Sequence, residues 1–126
     1  MRFLFLFSTS TLTGQAAQSF YLLRYLARSG YKVFAITDQN REGDLNAYIE
    51  KSGAVLIKGV SVSNKNKLLG KLKEINNLRS VVMDMRPDYL ISSFSNDHFD
   101  AVFSIGKENE KIKIVRFFTA GKSEVI

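Results

Sequence analysis

A run of five apolar residues near the amino terminus, Phe3-Leu4-Phe5-Leu6-Phe7, constrains the fold more than any other feature of the sequence. It is far shorter than the ~20 apolar residues that a membrane-spanning helix needs. Large apolar side chains stand at both odd and even positions, so neither face of a strand here is suited to water. The run therefore predicts a β-strand buried on both faces, as in a parallel sheet covered by helices.

Downstream of this run, strand-like and helix-like segments alternate. We predict strands over Arg2–Ser8, Tyr31–Thr37, Ala54–Lys58, Asp88–Ser93 and Lys111–Phe118, and helices over Gln15–Ser29, Asp44–Lys51, Leu68–Met85 and Asn96–Ile105. Parallel strands need crossover connections, and right-handed crossovers place helices on both faces of the sheet. We therefore expect an α/β fold in a single domain, a doubly wound, mostly parallel, Rossmann-like sheet spanning residues 1–126.

The amino-acid composition excludes several kinds of functional site. The chain of 126 residues has no cysteine, which excludes disulfides, thiolate metal sites and a thiol nucleophile. His98 is its single histidine, which excludes a multi-histidine metal site. The net charge of +6 favours an anionic partner. Nucleic acid is not the partner we expect, because no recognition motif is present and the aromatic residues fall in predicted strands and helix cores.

The loop after the first strand is the first candidate site, because ligands of such sheets bind beyond the carboxyl ends of the strands. Thr13, Gly14 and Gln15 stand where that loop meets a helix. A glycine there lets a ligand approach the backbone, and the helix N-terminus favours negative charge. The structural alternative is that Thr13 caps the helix and Gly14 relieves a turn.

A dinucleotide site is a second interpretation of the same loop. Its fingerprint needs three spaced glycines, and the segment from Thr13 to Gln18 has one. Asp38 follows the second predicted strand, where a ribose-binding carboxylate belongs. The alternative for Asp38 is a polar turn with its neighbours.

Two further strand ends carry candidate residues. Ser95 and Asn96 precede Asp97 and His98 after the fourth strand, and Asp97 is placed to orient or charge the imidazole of His98 as an acid/base or ligand group. Arg116 interrupts the apolar fifth strand. It either reaches the cleft to bind a phosphate or a sugar hydroxyl, or pairs with a carboxylate such as Asp88 or Asp97, or faces solvent.

A group of lysines lies on and before the long third helix: Lys65, Lys67, Lys71 and Lys73. Such a run is most often a solvated helix face. It also suits an anionic membrane surface, at roughly 1 kcal/mol for each basic residue near the headgroups.

Three segments in the same order resemble the N-terminal domain of glycosyltransferase family 4-like enzymes. The first is the Thr13-Gly14-Gln15 loop with the helix and strand that follow it through Thr37. The second is Arg86-Pro87-Asp88-Tyr89-Leu90-Ile91, which continues through Ser95–Phe99. The third is Ile114-Val115-Arg116. Together they cover nearly the whole chain.

This resemblance implies a GT-B architecture, in which two Rossmann-like domains enclose the active site and the N-terminal one receives the acceptor. It implies a retaining, metal-independent enzyme that uses a nucleotide-sugar donor in cell-envelope glycan or lipopolysaccharide assembly. It also implies a cytoplasmic location, peripheral on the inner face of the membrane, and a sugar or glycolipid acceptor. The donor would bind mainly on a C-terminal domain, so we expect no tightly bound cofactor and no activity from this chain by itself.

Carried over by position, the resemblance makes Thr13, Gly14, Gln15, Ser95, Asn96 and Arg116 substrate-binding residues and Asp97 and His98 catalytic candidates. The sequence departs from the family where histidines of the fourth strand fall on Ile91 and Ser93. It departs again where the second arginine and a histidine of the last motif fall on Phe118 and Thr119. We expect the chain to be a fragment, which an apolar docking face would allow to form a homodimer. A binding module that kept the fold without the chemistry is the alternative.

Overall fold

A computed structural model describes residues 1–39, 41–62, 68–92 and 112–116. The elements, in chain order, are β1 (Arg2–Leu6), α1 (Gly14–Arg28), β2 (Lys32–Ile36), α2 (Leu45–Ser52), β3 (Val55–Leu56), α3 (Leu68–Met85), β4 (Tyr89–Ser92) and β5 (Lys113–Arg116). They match the predicted elements with ends that differ by a few residues. The predicted helix Asn96–Ile105 lies outside the described residues.

The strands form one five-stranded sheet in the order β3-β2-β1-β4-β5, and every neighbouring pair is parallel. The carboxyl ends of four strands are in register, since Leu6 pairs with both Ile36 and Ser92, and Ser92 pairs with Arg116. The loops that follow these strands therefore leave from one edge of the sheet. The predicted α/β fold with a parallel, Rossmann-like sheet is confirmed.

The central strand β1 is buried on both sides, as its sequence predicts. Its phenylalanine face, formed by Phe3, Phe5 and Phe7, packs against α1 and α2; its leucine face, formed by Leu4 and Leu6, packs against α3. The residues that cover the two faces are Ala16, Phe20, Leu23, Leu45 and Ile49 on one and Leu78 and Val82 on the other. Helices therefore lie on both sides of the sheet.

Short polar residues and glycines set the ends of α1 and α2. Thr13 is the N-cap of α1, and its hydroxyl accepts a hydrogen bond from the backbone N–H of Ala16 at 3.3 Å. Gly30 follows α1 with φ of 92°, and Gly53 ends α2 with φ of 96°. Both angles lie in the left-handed region that glycine enters without steric cost, so these two glycines terminate the helices.

Leu78 and Val82 of α3 are buried, as the spacing of its apolar residues predicts, but Leu72 departs from that pattern. Leu72 is half exposed, whereas Lys71 and Glu74 are largely buried. At 3.6 residues per turn, Lys71 lies about 20° from Leu78 around the helix axis, and Leu72 lies about 120° away. Helix geometry therefore places Lys71 on the packed side, where its ammonium pairs with Glu74 at 3.6 Å.

The backbone at the turn from α3 into β4 differs from the one that a residue before proline usually adopts. A residue before proline is biased towards extended backbone, yet Arg86 has φ of 51° and lies in the left-handed region. Its N–H still donates to the carbonyl of Val82 at 2.9 Å, so it closes the last turn of the helix. The amide of Arg2 then donates to the carboxylate of Asp88 at 2.7 Å, and the N–H of Asp88 donates back to the carbonyl of Arg2 at 2.9 Å. These contacts set the register in which β4 enters the sheet.

Candidate ligand-binding edge

The carboxyl edge of the sheet, where β1, β2, β4 and β5 end in register, is the candidate site. Strand order reverses between β1 and β4, and ligands of open α/β sheets bind in the crevice at such a reversal. The loop that joins β1 to α1 lies on one side of this crevice. The ends of β4 and β5 lie on the other.

The structure places Thr13 and Gly14 at the exposed N-terminus of α1, with Gln15 in the first helical turn. Thr13 caps the helix, so the structural alternative for this residue is confirmed. The first turn carries no acidic side chain, and the partial positive charge of the helix N-terminus is therefore not neutralised there. An anionic or hydroxyl-rich ligand would meet backbone N–H groups at this point.

The packing around Gly14 and Gly43 differs, and it requires a glycine at only one of the two positions. No described atom lies within 4 Å of a Cβ built on Gly14, and its φ is not positive, so the protein's own packing does not require a glycine there. A Cβ on Gly43 would lie 2.0 Å from the carbonyl oxygen of Ser10. Gly43 is therefore a packing requirement, whereas Gly14 leaves open space beside the helix N-terminus.

The segment around Gly43 holds the β1–α1 loop in place. The hydroxyl of Ser10 donates to the carbonyl of Glu42 at 3.0 Å, and the carbonyl of Ser10 accepts from the N–H of Leu45 at 3.0 Å. The carboxylate of Asp44 accepts from the N–H of Leu12 at 2.9 Å and makes no capping bond to α2. Sequence reasoning assigned Asp44 to the helix cap and passed over Ser10, because nothing local in the sequence brings the two loops together.

Asp38 is placed differently from a ribose-binding carboxylate. It does follow β2, but its side chain is buried and pairs with Arg41 at 3.5 Å. The hydroxyl of Ser61 also lies 3.5 Å from its Oδ1. Next to it, the side chain of Gln39 donates to the carbonyl of Ile57 and accepts from the N–H of Gly59. These contacts tie the loop after β2 to the loop after β3 and occupy the Asp38 carboxylate.

The other side of the crevice is described in part. Arg116 is the last residue of β5 and pairs in register with Ser92, which is buried at the end of β4. Asp88 precedes β4 at the opposite end, about 13 Å away along the strand at 3.3 Å per residue. The structure thus separates Arg116 from one of its two suggested carboxylate partners. The predicted site residues Ser95, Asn96, Asp97 and His98 lie outside the described residues.

Two buried hydroxyl groups were not singled out by sequence reasoning. Ser8, directly beyond β1, and Ser19, in the second turn of α1, have buried side-chain oxygens that form no hydrogen bond within the described structure. A buried hydroxyl without a partner costs about 1–3 kcal/mol. Ser8 lies at the candidate edge, and serines in a strand-to-helix loop give no sequence signal that separates a paired hydroxyl from an unpaired one.

The predicted lysine cluster is partly described. Lys73 is exposed on α3, whereas Lys71 is 12% exposed and paired with Glu74. Lys65 and Lys67 lie outside the described residues. Within the described ranges, no helix is long and apolar enough to cross a bilayer. In the same ranges, histidine and acidic side chains form no group of three that would hold a metal ion.

No protein-family model matches the chain, and no curated protein matches it. The structure by itself defines the class of the protein, an α/β protein with a parallel, Rossmann-like sheet. The resemblance to family 4-like glycosyltransferases therefore depends on the sequence motifs described above.

Proposed function

We propose that the chain is the acceptor-binding half of a retaining, nucleotide-sugar-dependent glycosyltransferase of GT-B architecture, acting in cell-envelope glycan or lipopolysaccharide assembly. Three motifs in family order support the proposal: the first coincides with α1 and β2, the second with the start of β4, and the third with β5. The parallel sheet of order β3-β2-β1-β4-β5 is compatible with a Rossmann-like half of such an enzyme.

The observation that carries the proposal is the open space at Gly14 on the edge to which Arg116 also belongs. Across the sheet, the ends of β1 and β5 are two strand spacings apart, about 10 Å at ~4.8 Å per spacing. A sugar ring with its hydroxyl groups spans much of that gap. The helix N-terminus offers backbone N–H donors on one side, and β5 ends in an arginine on the other; donors of both kinds suit hydroxyl and phosphate oxygens.

The dinucleotide alternative is weaker because of Asp38. Binding the ribose 2′-hydroxyl requires a carboxylate with free acceptor capacity at the end of the second strand. In this chain that carboxylate is buried against Arg41 and Ser61, and the loop around it is fixed by Gln39. A ribose would have to displace these contacts.

Nuclear magnetic resonance titration of the chain tests the proposal. We expect a panel of mono- and oligosaccharide acceptors to shift the backbone amide signals of residues 11–16, 92 and 116 in a saturable way. Gly14→Ala should weaken this binding by about tenfold, because a methyl group enters the space that the ligand occupies. Lys32→Gln, at the opposite end of the sheet, is the control and should leave binding unchanged.

Two outcomes would refute the proposal. One is the absence of saturable carbohydrate binding across the panel. The other is saturable binding of NAD(H) below about 1 mM at the same amides, which would replace the acceptor site with a dinucleotide site. Lys73, with Lys65 and Lys67, remains a proposed contact to anionic lipid, tested by sedimentation with phosphatidylglycerol vesicles.

A further inference from the structure

A groove of about 250 Å³ runs between α1 and α2, and Leu12 of the β1–α1 loop also lines it. We call it the α1–α2 groove and define it by Phe20, Tyr21, Arg24, Arg28, Tyr48 and Lys51. Three cations and two exposed tyrosines from the two helices line it, so the groove concentrates positive charge and aromatic surface. The proposed acceptor site does not involve these side chains.

Among the described residues, the three cations of the groove have no carboxylate partner. Ion pairs within the described ranges join Arg41 to Asp38 and Lys71 to Glu74, and none involves Arg24, Arg28 or Lys51. Helix α1 contains no aspartate or glutamate over its whole length. Surface cations are usually interspersed with carboxylates, so three unpaired ones around a single groove create a local field that attracts an anion.

Aromatic rings fix the position of the central guanidinium. The Cζ of Arg24 lies 5.2 Å from the ring centroid of Tyr21 and 5.8 Å from that of Phe20. The ring of Tyr48 meets Phe20 edge-on at 6.1 Å. Stacked on these rings, Arg24 loses little further side-chain freedom when it binds a ligand. A guanidinium held in this way suits the bidentate geometry of a phosphate.

The size of the groove limits its occupant. Sites for drug-sized ligands usually measure about 300–1,000 Å³, and this groove is smaller. It has room for one phosphate group and one ring. Tyr21 and Tyr48 are 54% and 43% exposed, so each offers a ring surface on which a sugar or a base can pack.

From these features we infer that the α1–α2 groove binds the phosphate group and one ring of a phosphate monoester, either a sugar phosphate or a nucleoside monophosphate. Arg24, Arg28 and Lys51 hold the phosphate, and the tyrosine rings contact the organic part. A phosphate monoester carries up to two negative charges near neutral pH, which complements three cations. The inference does not depend on the proposed glycosyltransferase function, because the cations and tyrosines of the groove are not part of the acceptor edge.

Calorimetric titration of the chain with glucose 1-phosphate, uridine monophosphate and inorganic phosphate tests the inference. Glucose and uridine serve as neutral controls. We expect the two esters to bind, inorganic phosphate to bind more weakly, and the neutral compounds to bind at least about tenfold more weakly than their esters. Which of the two esters binds more tightly distinguishes a sugar site from a nucleoside site. Added salt should weaken the binding, because the groove is open to solvent.

Substitutions locate the site. Arg28→Gln and Lys51→Gln should each weaken ester binding by about tenfold, as expected for the loss of one charge-assisted contact. Lys32→Gln removes an exposed lysine that does not line the groove and should leave affinity unchanged. Arg24→Lys keeps the charge but loses the planar fork, and should also weaken binding. Far-UV circular dichroism and thermal unfolding of each variant establish that the fold is retained.

Three outcomes would overturn the inference. In the first, neither ester binds, or the neutral compounds bind equally well. In the second, Lys51→Gln and Lys32→Gln have the same effect on ester affinity. In the third, single-stranded oligo(dT) or phosphatidylglycerol vesicles bind through the same residues at least about a hundredfold more tightly than the esters. That result would identify the groove as a surface for a nucleic acid or a membrane.

Discussion

Replacing Gly43 with alanine should destabilise the protein more than any other glycine-to-alanine change considered above. The added Cβ would lie 2.0 Å from the carbonyl oxygen of Ser10 and 2.5 Å from its carbonyl carbon. Nonbonded heavy atoms normally approach to roughly 3.5 Å, so the two loops would have to separate by roughly 1.5 Å. Both sides of the contact are backbone, and a side-chain rotation cannot relieve it.

The cost follows from the hydrogen bonds that this separation would break. They are Leu45 N–H to Ser10 O at 3.0 Å, Ser10 Oγ to Glu42 O at 3.0 Å and Leu12 N–H to Asp44 Oδ1 at 2.9 Å. At about 0.5–1.5 kcal/mol each, their loss lowers the free energy of unfolding by about 3 kcal/mol. With a urea m value of about 2 kcal/mol/M, the unfolding midpoint should fall by about 1.5 M.

Urea unfolding followed by circular dichroism at 222 nm measures this shift, since the chain contains no tryptophan. Gly14→Ala is the matched control: it adds the same methyl group where no described atom lies within 4 Å. We expect that control to change stability by less than about 1 kcal/mol. If the two variants unfold at the same urea concentration, the account of the contact between Gly43 and Ser10 is wrong.

Three further changes test other contacts by the same unfolding assay. Ser19→Ala should raise the free energy of unfolding by about 1 kcal/mol, because it removes a buried, unpaired hydroxyl and favours the helix. Ser52→Ala should lower it by about 1 kcal/mol, because the Ser52 hydroxyl donates to Ile49 and accepts from Ala54. Equal effects of the two substitutions would contradict this interpretation. Gly53→Ala should cost about 1–2 kcal/mol, because φ of 96° is strained for alanine, and a neutral result would mean that the turn rearranges. Asp44→Ala should cost about 1 kcal/mol, because the N–H of Leu12 loses its acceptor, whereas Asp44→Asn keeps an oxygen there and should retain most of the stability; an equal loss in both variants would contradict this account.

Sequence predicts best those parts of the fold whose conformation follows from the properties of neighbouring residues in the chain. The Phe3–Phe7 run has large apolar groups on both faces, so burial on both sides of β1 follows directly. Gly30 and Gly53 end their helices because few other residues adopt the left-handed backbone. Pro87 likewise limits α3, which ends at Met85.

The parts that sequence predicts poorly depend on neighbours distant in the chain. Apolar character alone put Leu72 on the packed side of α3, where helix geometry places Lys71. The preference of a residue before proline was overridden at Arg86 by the hydrogen bond that closes the helix. At the candidate edge, the sequence predicts the Thr13–Gly14 turn. It does not predict the contact between Ser10 and Gly43, because these residues are distant in the chain and come together only in the folded structure.

The sequence also does not predict that the aromatic and basic residues of the α1–α2 groove come together. Along α1, Phe20, Leu23 and Ala27 form an apolar series that predicts a packed face, and this is confirmed. Tyr21 and Arg24 fall between those positions and were read as an ordinary outer face. Only the placement of α2 beside α1 brings Tyr48 and Lys51 next to them.

The central position of β1 has a consequence for the order in which a growing polypeptide acquires structure. Phe3 pairs with Val33 on one side, which is available soon after synthesis starts, and with Tyr89 on the other, which is made much later. Until then, the second edge of this strand has no native neighbour, and its phenylalanine and leucine side chains favour pairing with other nascent chains. The yield of native protein from the ribosome should therefore depend on how quickly translation proceeds from β2 to β4.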